Sequence, residues 1–378
     1  MTKQLPPSEK NTSLSFKMLY ILGILMIVDG HIGTFDYLDL GGLLRYQNYH
    51  IGIFMFVSGY FLNLERGYEE FFKHKALRLL LPLYIWNILY GILCWYLNNY
   101  HGFSLGGKFD LRNLLIAPLT DGHQFIYNMA GWFIVPLFLV QSISFMLLKP
   151  FSEIKEKKIG SCISIIFFIL SLVIACICVP HAVENQGERN LLLTFYRSIY
   201  FMPAFALGYC YRHFLEKHDN INSPLYFIIL LSLISLLESI FPNYNHIPSW
   251  LNFINEPMIG IYAISLLSIM FWVRVARVLS PVLEKSRSLM YCANHTFDIM
   301  LHHFLGLMCV KYIFYATTFP QDKNVLNQIK SDIWYYNYPL GEAKCAWFYI
   351  TISIVIALLT GFTINKIYAK LKDKLRLN

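Results

Sequence analysis

Two histidines and one carboxylate near the start of the chain lie inside apolar runs, where they could do chemistry. Asp29-Gly30-His31 closes the first run, and His50 opens the second, which continues to Tyr60. An ionisable side chain at membrane depth is costly, so it is by default a candidate functional residue. An imidazole in a low-dielectric site tends to stay neutral and can therefore act as a base.

His31 is the first candidate base. It lies 14 residues after Lys17, which is roughly 20 Å along an α-helix. Asp29 is two residues away, and residues i and i+2 of a helix do not share a face, so we do not expect Asp29 to orient His31. The alternative is a structural histidine hydrogen-bonded between helices, and residue type and depth alone leave both readings open.

A second candidate site is the basic segment before the third apolar run, with Lys73, Lys75 and Arg78. Lys75 and Arg78 are spaced i, i+3, which places both cations on one face of a helix. Such a pair can bind phosphates, the guanidinium as a fork and the ammonium as a point charge. Taken alone, the pattern is more typical of ordinary positive charge on a cytoplasmic loop.

A third constellation comes late in the chain, where Asn294, Asp298 and His302 step by four. This spacing predicts that the three side chains line one face of a spanning helix and point into the protein. We expect them to line a site, with a structural polar seam as the alternative. Trp132 and Arg197 are weaker candidates for substrate binding, because each could equally be an interface anchor.

The amino-acid composition indicates the class of protein in which these residues lie. The chain has 378 residues, 56% hydrophobic and only 14% charged, with a mean hydropathy of +0.46. Its apolar residues form long runs, which predicts an all-α polytopic membrane protein. Ten runs are long enough for transmembrane helices, at about 15–35, 48–64, 79–98, 130–148, 159–180, 194–214, 224–241, 254–275, 288–314 and 345–367.

The distribution of basic residues predicts the orientation. With the N-terminus in the cytoplasm, 22 of the 31 Lys and Arg residues fall on the cytoplasmic side, as the positive-inside rule requires. We therefore expect both termini inside, with a tail at 1–14, one transmembrane domain at 15–370 and a basic tail at 371–378. The first run, which no small-residue cleavage site follows, is predicted to be an uncleaved helix.

Other classes are disfavoured. The net charge of +8 follows from topology, and no basic patch interleaved with exposed aromatics indicates nucleic-acid binding. The eight cysteines lie mostly in apolar runs without Cys-x-x-Cys spacing, which predicts neither a metal site nor a disulfide framework.

Two outer segments are long, 99–129 and 315–344. The aromatic residues of the latter, including Trp334, could stack on sugar rings, although an interfacial belt is the commoner use.

Six motifs in order resemble those of a known family. The chain is similar to the acyltransferase-3 integral membrane acyltransferases, especially the branch of fucose and polysaccharide O-acetylases. The segments that carry the resemblance are His31 at the end of the first run, Tyr49 to Tyr60, Lys75 to Tyr84, Gly131 to Ile134, Phe201 to Tyr209, and Asn294 to His302. The chain departs from the family pattern at Lys75, where an arginine is usual, and at Ile51-Gly52, where Met-Pro is usual.

The resemblance implies a reaction and its partners. Acetyl-CoA, or another acyl-CoA, would be a co-substrate and not a tightly bound cofactor, with its nucleotide held by Lys75 and Arg78 beside Lys73. Its pantetheine arm would reach inward to His31, the general base on an acceptor hydroxyl. His50 or the face that carries His302 could orient the imidazole or stabilise the oxyanion. The acceptor would be a cell-envelope saccharide or lipid-linked glycan, at the plasma or inner membrane.

Two other functions stay open at the level of sequence. Intramembrane acids and histidines also mark proton-coupled secondary transporters, although no inverted repeat with matching broken helices is evident. A membrane module that binds a glycan or a signalling partner without turnover is the third reading. The sequence leaves the oligomeric state open.

Overall fold

The architecture is helical throughout the part of the chain that the structure describes. This computed structural model describes residues 7–32, 39–154, 156–184, 190–244, 246–251 and 255–376. The α-helices in these ranges are α1 (Pro7–Gly30), α2 (His50–Tyr60), α3 (Tyr68–Lys75), α4 (Leu81–Tyr100), α5 (Ile134–Leu148), α6 (Lys157–Glu184), α7 (Leu191–His213), α8 (Ser223–Ile240), α9 (Met258–Lys285), α10 (Arg287–Asn294), α11 (Thr296–Thr318), α12 (Lys323–Ser331) and α13 (Glu342–Arg376).

Nine helices within the described ranges are long and apolar enough to cross a membrane, which confirms the polytopic class. The second predicted helix is the exception, because α2 has only 11 residues. At 1.5 Å per residue it covers about 16 Å, roughly half of the hydrocarbon core. Residues 39–49, directly before it, form turns and a short 3-10 helix, yet Leu44, Tyr46 and Tyr49 are buried. Irregular backbone at this depth is tolerated where protein surrounds it or where it lines a cavity.

Two further helices differ from the predicted pattern. The third runs without interruption from Tyr68 to Tyr100, because a π-helical turn at Ala76–Leu80 joins α3 to α4. Since that turn changes the helical spacing, Lys75 and Arg78 are not related by a regular α-helical i, i+3 step. The ninth predicted helix is broken at His295, whose φ of −121° and ψ of 24° are not helical.

The segments predicted to be cytoplasmic lie together at one end of the bundle. The Phe16 ring, near the start of α1, is 4.2 Å from the Tyr60 ring at the end of α2. Arg212 donates to the Tyr60 carbonyl at 3.1 Å, and Lys149 donates to the Leu64 carbonyl at 2.6 Å. We call this the basic end. The opposite end, where α1 ends and α2 begins, is the histidine end.

Burial separates central from peripheral helices. α7 packs against α2, α5 and α6, α1 packs against α9, and α11 packs against α13. α8 lies outermost, with only Leu230 and Ile234 buried. Leu225, Ile228, Leu233 and Leu236 are exposed, as expected where lipid is the solvent.

Glycines allow α2 and α7 to approach until their backbones touch. A Cβ atom at Gly59 would lie 1.9 Å from the Phe205 carbonyl oxygen, and one at Gly208 would lie 1.9 Å from the Phe56 carbonyl oxygen. The contact is therefore reciprocal, and it needs a hydrogen at both positions. Small residues at such crossings let helices in membranes gain close packing. This contact sets the position of α2, and with it that of His50.

We predict that Gly208→Ala destabilises the protein by about 1–3 kcal/mol, because the added methyl group forces α2 away from α7. Thermal melting of the detergent-solubilised chain measures the effect. Gly160→Ala is the matched control, since a Cβ atom there meets nothing within 4 Å and alanine is the better helix former. A melting temperature for Gly208→Ala equal to that of Gly160→Ala would contradict the proposed close crossing.

Candidate functional site

A cavity of about 460 Å³ lies at the histidine end. His31 follows α1 directly, and His50 is the first residue of α2. Both line the cavity, and its wall includes three tryptophans, Trp132, Trp250 and Trp334. The structure thus brings together two imidazoles from helix ends and three indoles. Trp250 and Trp334 come from connections between helices, and Trp132 comes from the 3-10 helix Ile126–Phe133 that leads into α5.

His31 is held by ring contacts. Its imidazole stacks on that of His303 at 5.1 Å and lies 4.5 Å from the Phe304 ring and 5.8 Å from the indole of Trp334. Among the described residues its ring nitrogens have no hydrogen-bond partner, so both are available to a substrate. His50 is close enough to interact electrostatically with His31.

The tautomer of His50 is fixed by its backbone partner. Its Nδ1 lies 2.8 Å from the carbonyl oxygen of Tyr46, and because a carbonyl only accepts, Nδ1 carries the proton. In the neutral ring Nε2 is then an acceptor. Tyr46 is held in turn by a hydrogen bond from its hydroxyl to Asp29. A neutral His50 can accept a hydrogen bond from a hydroxyl group, but it cannot donate one to an oxyanion.

Arg197 holds in place the segments that form the aromatic wall of the cavity. Its guanidinium is fully buried and donates to the carbonyls of Thr120 at 3.2 Å, Asp121 at 3.1 Å and Ser249 at 2.7 Å. It also lies over the rings of Trp132 at 4.8 Å and Trp250 at 5.8 Å. The predicted role in substrate binding does not match this placement, because its donors hold the two segments that form the wall.

His123 completes the wall between the two indoles. Its ring stacks on Trp250 at 4.5 Å and on Trp132 at 6.1 Å, with interplanar angles of 20° and 18°. Trp132 was predicted to bind substrate, and it does line the cavity. Gly122, with φ of +71°, lets the chain pass Trp132, where a Cβ atom would lie 2.5 Å from the Trp132 Cα.

His246 lines the cavity but is already engaged on both ring nitrogens. Nδ1 lies 3.1 Å from the Tyr244 carbonyl, and Nε2 lies 2.6 Å from the Tyr200 hydroxyl. Burial lowers the pKa of His246 to about 4, so the ring is neutral at physiological pH and accepts from Tyr200. His246 is therefore part of the scaffold of the wall.

Trp334 is positioned by a buried cation. Lys311 of α11 donates to the carbonyl of Ile333, the residue before Trp334. Its ammonium also lies 4.1 Å from the centre of the Tyr336 ring. The lysine is wholly buried, so both contacts compensate its desolvation.

The cations predicted to hold a nucleotide lie at the other end of the bundle. Lys73 and Arg78 are exposed and Lys75 is half-buried, with its ammonium 5.5 Å from the Phe71 ring. Arg66, Lys75 and Arg78 are close enough to interact electrostatically with His74. The structure therefore groups Arg66 with Lys75 and Arg78, and Arg66 also pairs with Glu70 at 3.6 Å.

The late polar constellation does not form one face. Asn294 ends α10 and is exposed, whereas Asp298 lies on α11 and pairs with His295 at 2.9 Å. The prediction of a shared face was wrong because the helix breaks between Asn294 and Asp298. His302 is buried, with Nδ1 2.7 Å from the Tyr90 hydroxyl, and it is not among the cavity-lining residues. Its neighbour His303 makes the contact with His31.

Sequence reasoning missed several cavity residues and a buried histidine that contacts His31. His123, His246 and Trp250 lie in connections between helices, and His303 stands beside the histidine that was chosen. The available signal was the density of aromatic and imidazole side chains in segments near the histidine end. Within the described ranges, no three His, Cys, Asp or Glu side chains come together as a metal site.

Comparison with known proteins identifies one family. A family model described as an acyltransferase domain, acyltransferase-3, matches residues 16–366. No curated protein and no solved structure matches the chain significantly.

We predict that Arg197→Lys destabilises the protein by about 2–4 kcal/mol. A lysine ammonium cannot donate to several carbonyls with the planar geometry of a guanidinium, so buried carbonyls are left without charged donors. Thermal melting and the fluorescence of the seven tryptophans, to which Trp132 and Trp250 contribute, measure the change. Arg212→Lys is the control, because Arg212 is exposed and donates to one carbonyl. If the two variants melt alike with unchanged fluorescence, Arg197 does not hold the wall.

Proposed function

The chain belongs to the acyltransferase-3 family and is therefore a multi-pass membrane acyltransferase, and we propose that it transfers an acetyl or other short acyl group from acyl-CoA to a hydroxyl of a cell-envelope saccharide. The observation that supports this most is the cavity, in which His31 and His50 lie together beside three indoles. The acceptor is a free or lipid-linked glycan.

His31 is the proposed general base. Both of its ring nitrogens are available, and the cavity brings acceptor hydroxyls within its reach. Once His31 is protonated, the neighbouring rings of Phe304 and Trp334 stabilise the imidazolium through their π-systems. His50, whose Nε2 accepts, orients a hydroxyl of the same acceptor.

The lining of the cavity supports a saccharide acceptor. Indoles offer flat apolar surfaces to the C–H faces of a sugar ring. Gln47, Ser249 and the imidazoles of the lining offer polar groups to its hydroxyls. The combination of apolar walls and few polar groups is typical of small-molecule sites, and the volume is in their usual range.

The cationic cluster at the basic end supports an anionic donor. Arg78 and Lys75 would hold the phosphates of acyl-CoA there, with Lys73 adding positive charge. The pantetheine arm would then cross roughly 20 Å to the histidine end, the length of α1 from Lys17 to His31. We place the basic end in the cytoplasm, in line with the positive-inside rule.

The reaction balances without a further reagent. His31 takes the proton of the acceptor hydroxyl as its oxygen bonds to the thioester carbonyl carbon. The carbon–sulfur bond then breaks, and the proton on His31 passes to the departing thiolate. The products are the acyl ester of the saccharide and free CoA.

We predict that His31→Gln lowers acyl transfer by about 10²–10⁴-fold, the usual contribution of a general base. The measurement is mass spectrometry of envelope glycans, scored for one acyl increment, with acetyl-CoA supplied to membranes that contain the full chain. His50→Gln should retain some activity, because it removes a positioning contact.

His218→Gln is the matched control and should leave the rate within about twofold, since His218 is exposed at the basic end and far from the proton transfer. Full activity of folded His31→Gln would refute His31 as the base. Uptake of solute without acyl transfer would instead favour a transporter.

We predict that Arg78→Gln raises the KM for acetyl-CoA about tenfold, because one charge-assisted bond to phosphate is lost. Initial rates at varied acetyl-CoA measure the effect. Lys217→Gln is the control, because Lys217 is an exposed cation at the same end. Equal KM values for the two variants would rule out a phosphate contact by Arg78.

A further inference from the structure

A second cavity, of about 590 Å³, opens between α4, α11 and α12. Its walls are mostly apolar, with Leu93 and Leu97 from α4 and Leu305 and Met308 from α11. We call it the lateral groove. Its two basic side chains, His101 and Lys330, come from the ends of α4 and α12.

The groove runs along helices that cross the membrane. From Leu93 to His101 the chain advances about 12 Å, at 1.5 Å per residue. One leaflet of the hydrocarbon core is roughly 15 Å thick. The apolar walls therefore lie in the outer part of a single leaflet, where the upper segment of one lipid chain packs.

The basic mouth of the groove lies at the level of lipid headgroups. Trp95, Tyr96 and Tyr100 are exposed along the last turns of α4, and exposed indoles and phenols concentrate at the membrane interface. The Lys330 carbonyl accepts from the Ser104 amide at 3.0 Å, so Lys330 sits just beyond the end of α4. This places Lys330 near the end of the helix that carries these aromatic residues.

Lys330 has no ion-pair partner in the part of the chain that the structure describes. Its ammonium lies 5.7 Å from the centre of the Phe103 ring. A cation at the mouth of an apolar groove complements an anionic head on an apolar chain. The phosphate of a membrane lipid has this chemistry.

We propose that the lateral groove binds an anionic phospholipid of the leaflet at the histidine end, with one acyl chain between α4 and α11 and its phosphate at Lys330. The occupant also supports α12. Because α12 ends at Ser331, three residues before Trp334, the lipid buttresses the segment that carries this cavity residue. The site is independent of the proposed acyl transfer.

Native mass spectrometry of the full chain in detergent tests the proposal, with phosphatidylglycerol and phosphatidylcholine of identical acyl chains as probes. We expect phosphatidylglycerol to bind at least fivefold more tightly. Lys330→Gln should weaken the binding of phosphatidylglycerol about fivefold, which is the effect of one lysine near an anionic lipid. It should leave the binding of phosphatidylcholine unchanged. Lys330→Arg should keep the preference.

Two variants separate the groove from general surface charge. Leu326→Trp, which fills the groove, should weaken both lipids, whereas Lys323→Gln, at an exposed position of α12, should weaken neither. The proposal fails if the two lipids bind equally, or if Lys330→Gln behaves like Lys323→Gln. It also fails if glycerol phosphate, which lacks a chain, competes as well as the whole lipid.

Discussion

The backbone contact between α2 and α7 is the constraint on which the site depends. α2 is too short to cross the membrane, so its position is set by what it touches inside the protein. Gly59 and Gly208 let the two backbones meet, and His50 stands at the free end of α2. α7 also carries Arg197, nearer the histidine end. One helix therefore fixes both the second imidazole and the aromatic wall that faces it.

Two buried basic residues, Arg197 and Lys311, hold the connections between helices over the histidine end. Arg197 and Lys311 cannot stay charged in a low-dielectric interior without partners. Each finds them in backbone carbonyls of the connections, Thr120, Asp121 and Ser249 for the arginine and Ile333 for the lysine. Satisfying those charges draws the segments with Trp132, Trp250 and Trp334 inward. The cavity is the space that these segments enclose with the helix ends.

The two ends of the bundle offer different chemistry. The basic end has a cluster of cations suited to phosphates, and the histidine end has neutral imidazoles and indoles suited to a polar, ring-shaped acceptor. An acyltransferase that takes its donor at one end and its acceptor at the other needs only the acyl-bearing arm to cross the protein. This separation is compatible with the proposed donor and acceptor.

The sequence by itself determined the membrane class, nearly all of the helices and the family, because hydropathy over some 20 residues and ordered local motifs are properties of the chain alone. It also predicted His31 as the base, which stays a prediction. It also indicated Trp132 and the cations near Lys75. Only the tertiary structure decided the length of α2, the break at His295 and the contact of His31 with His303 in place of His302. These depend on which backbone groups find hydrogen-bond partners inside the protein and on how closely helices approach. Those are relations between distant segments, which local spacing does not encode.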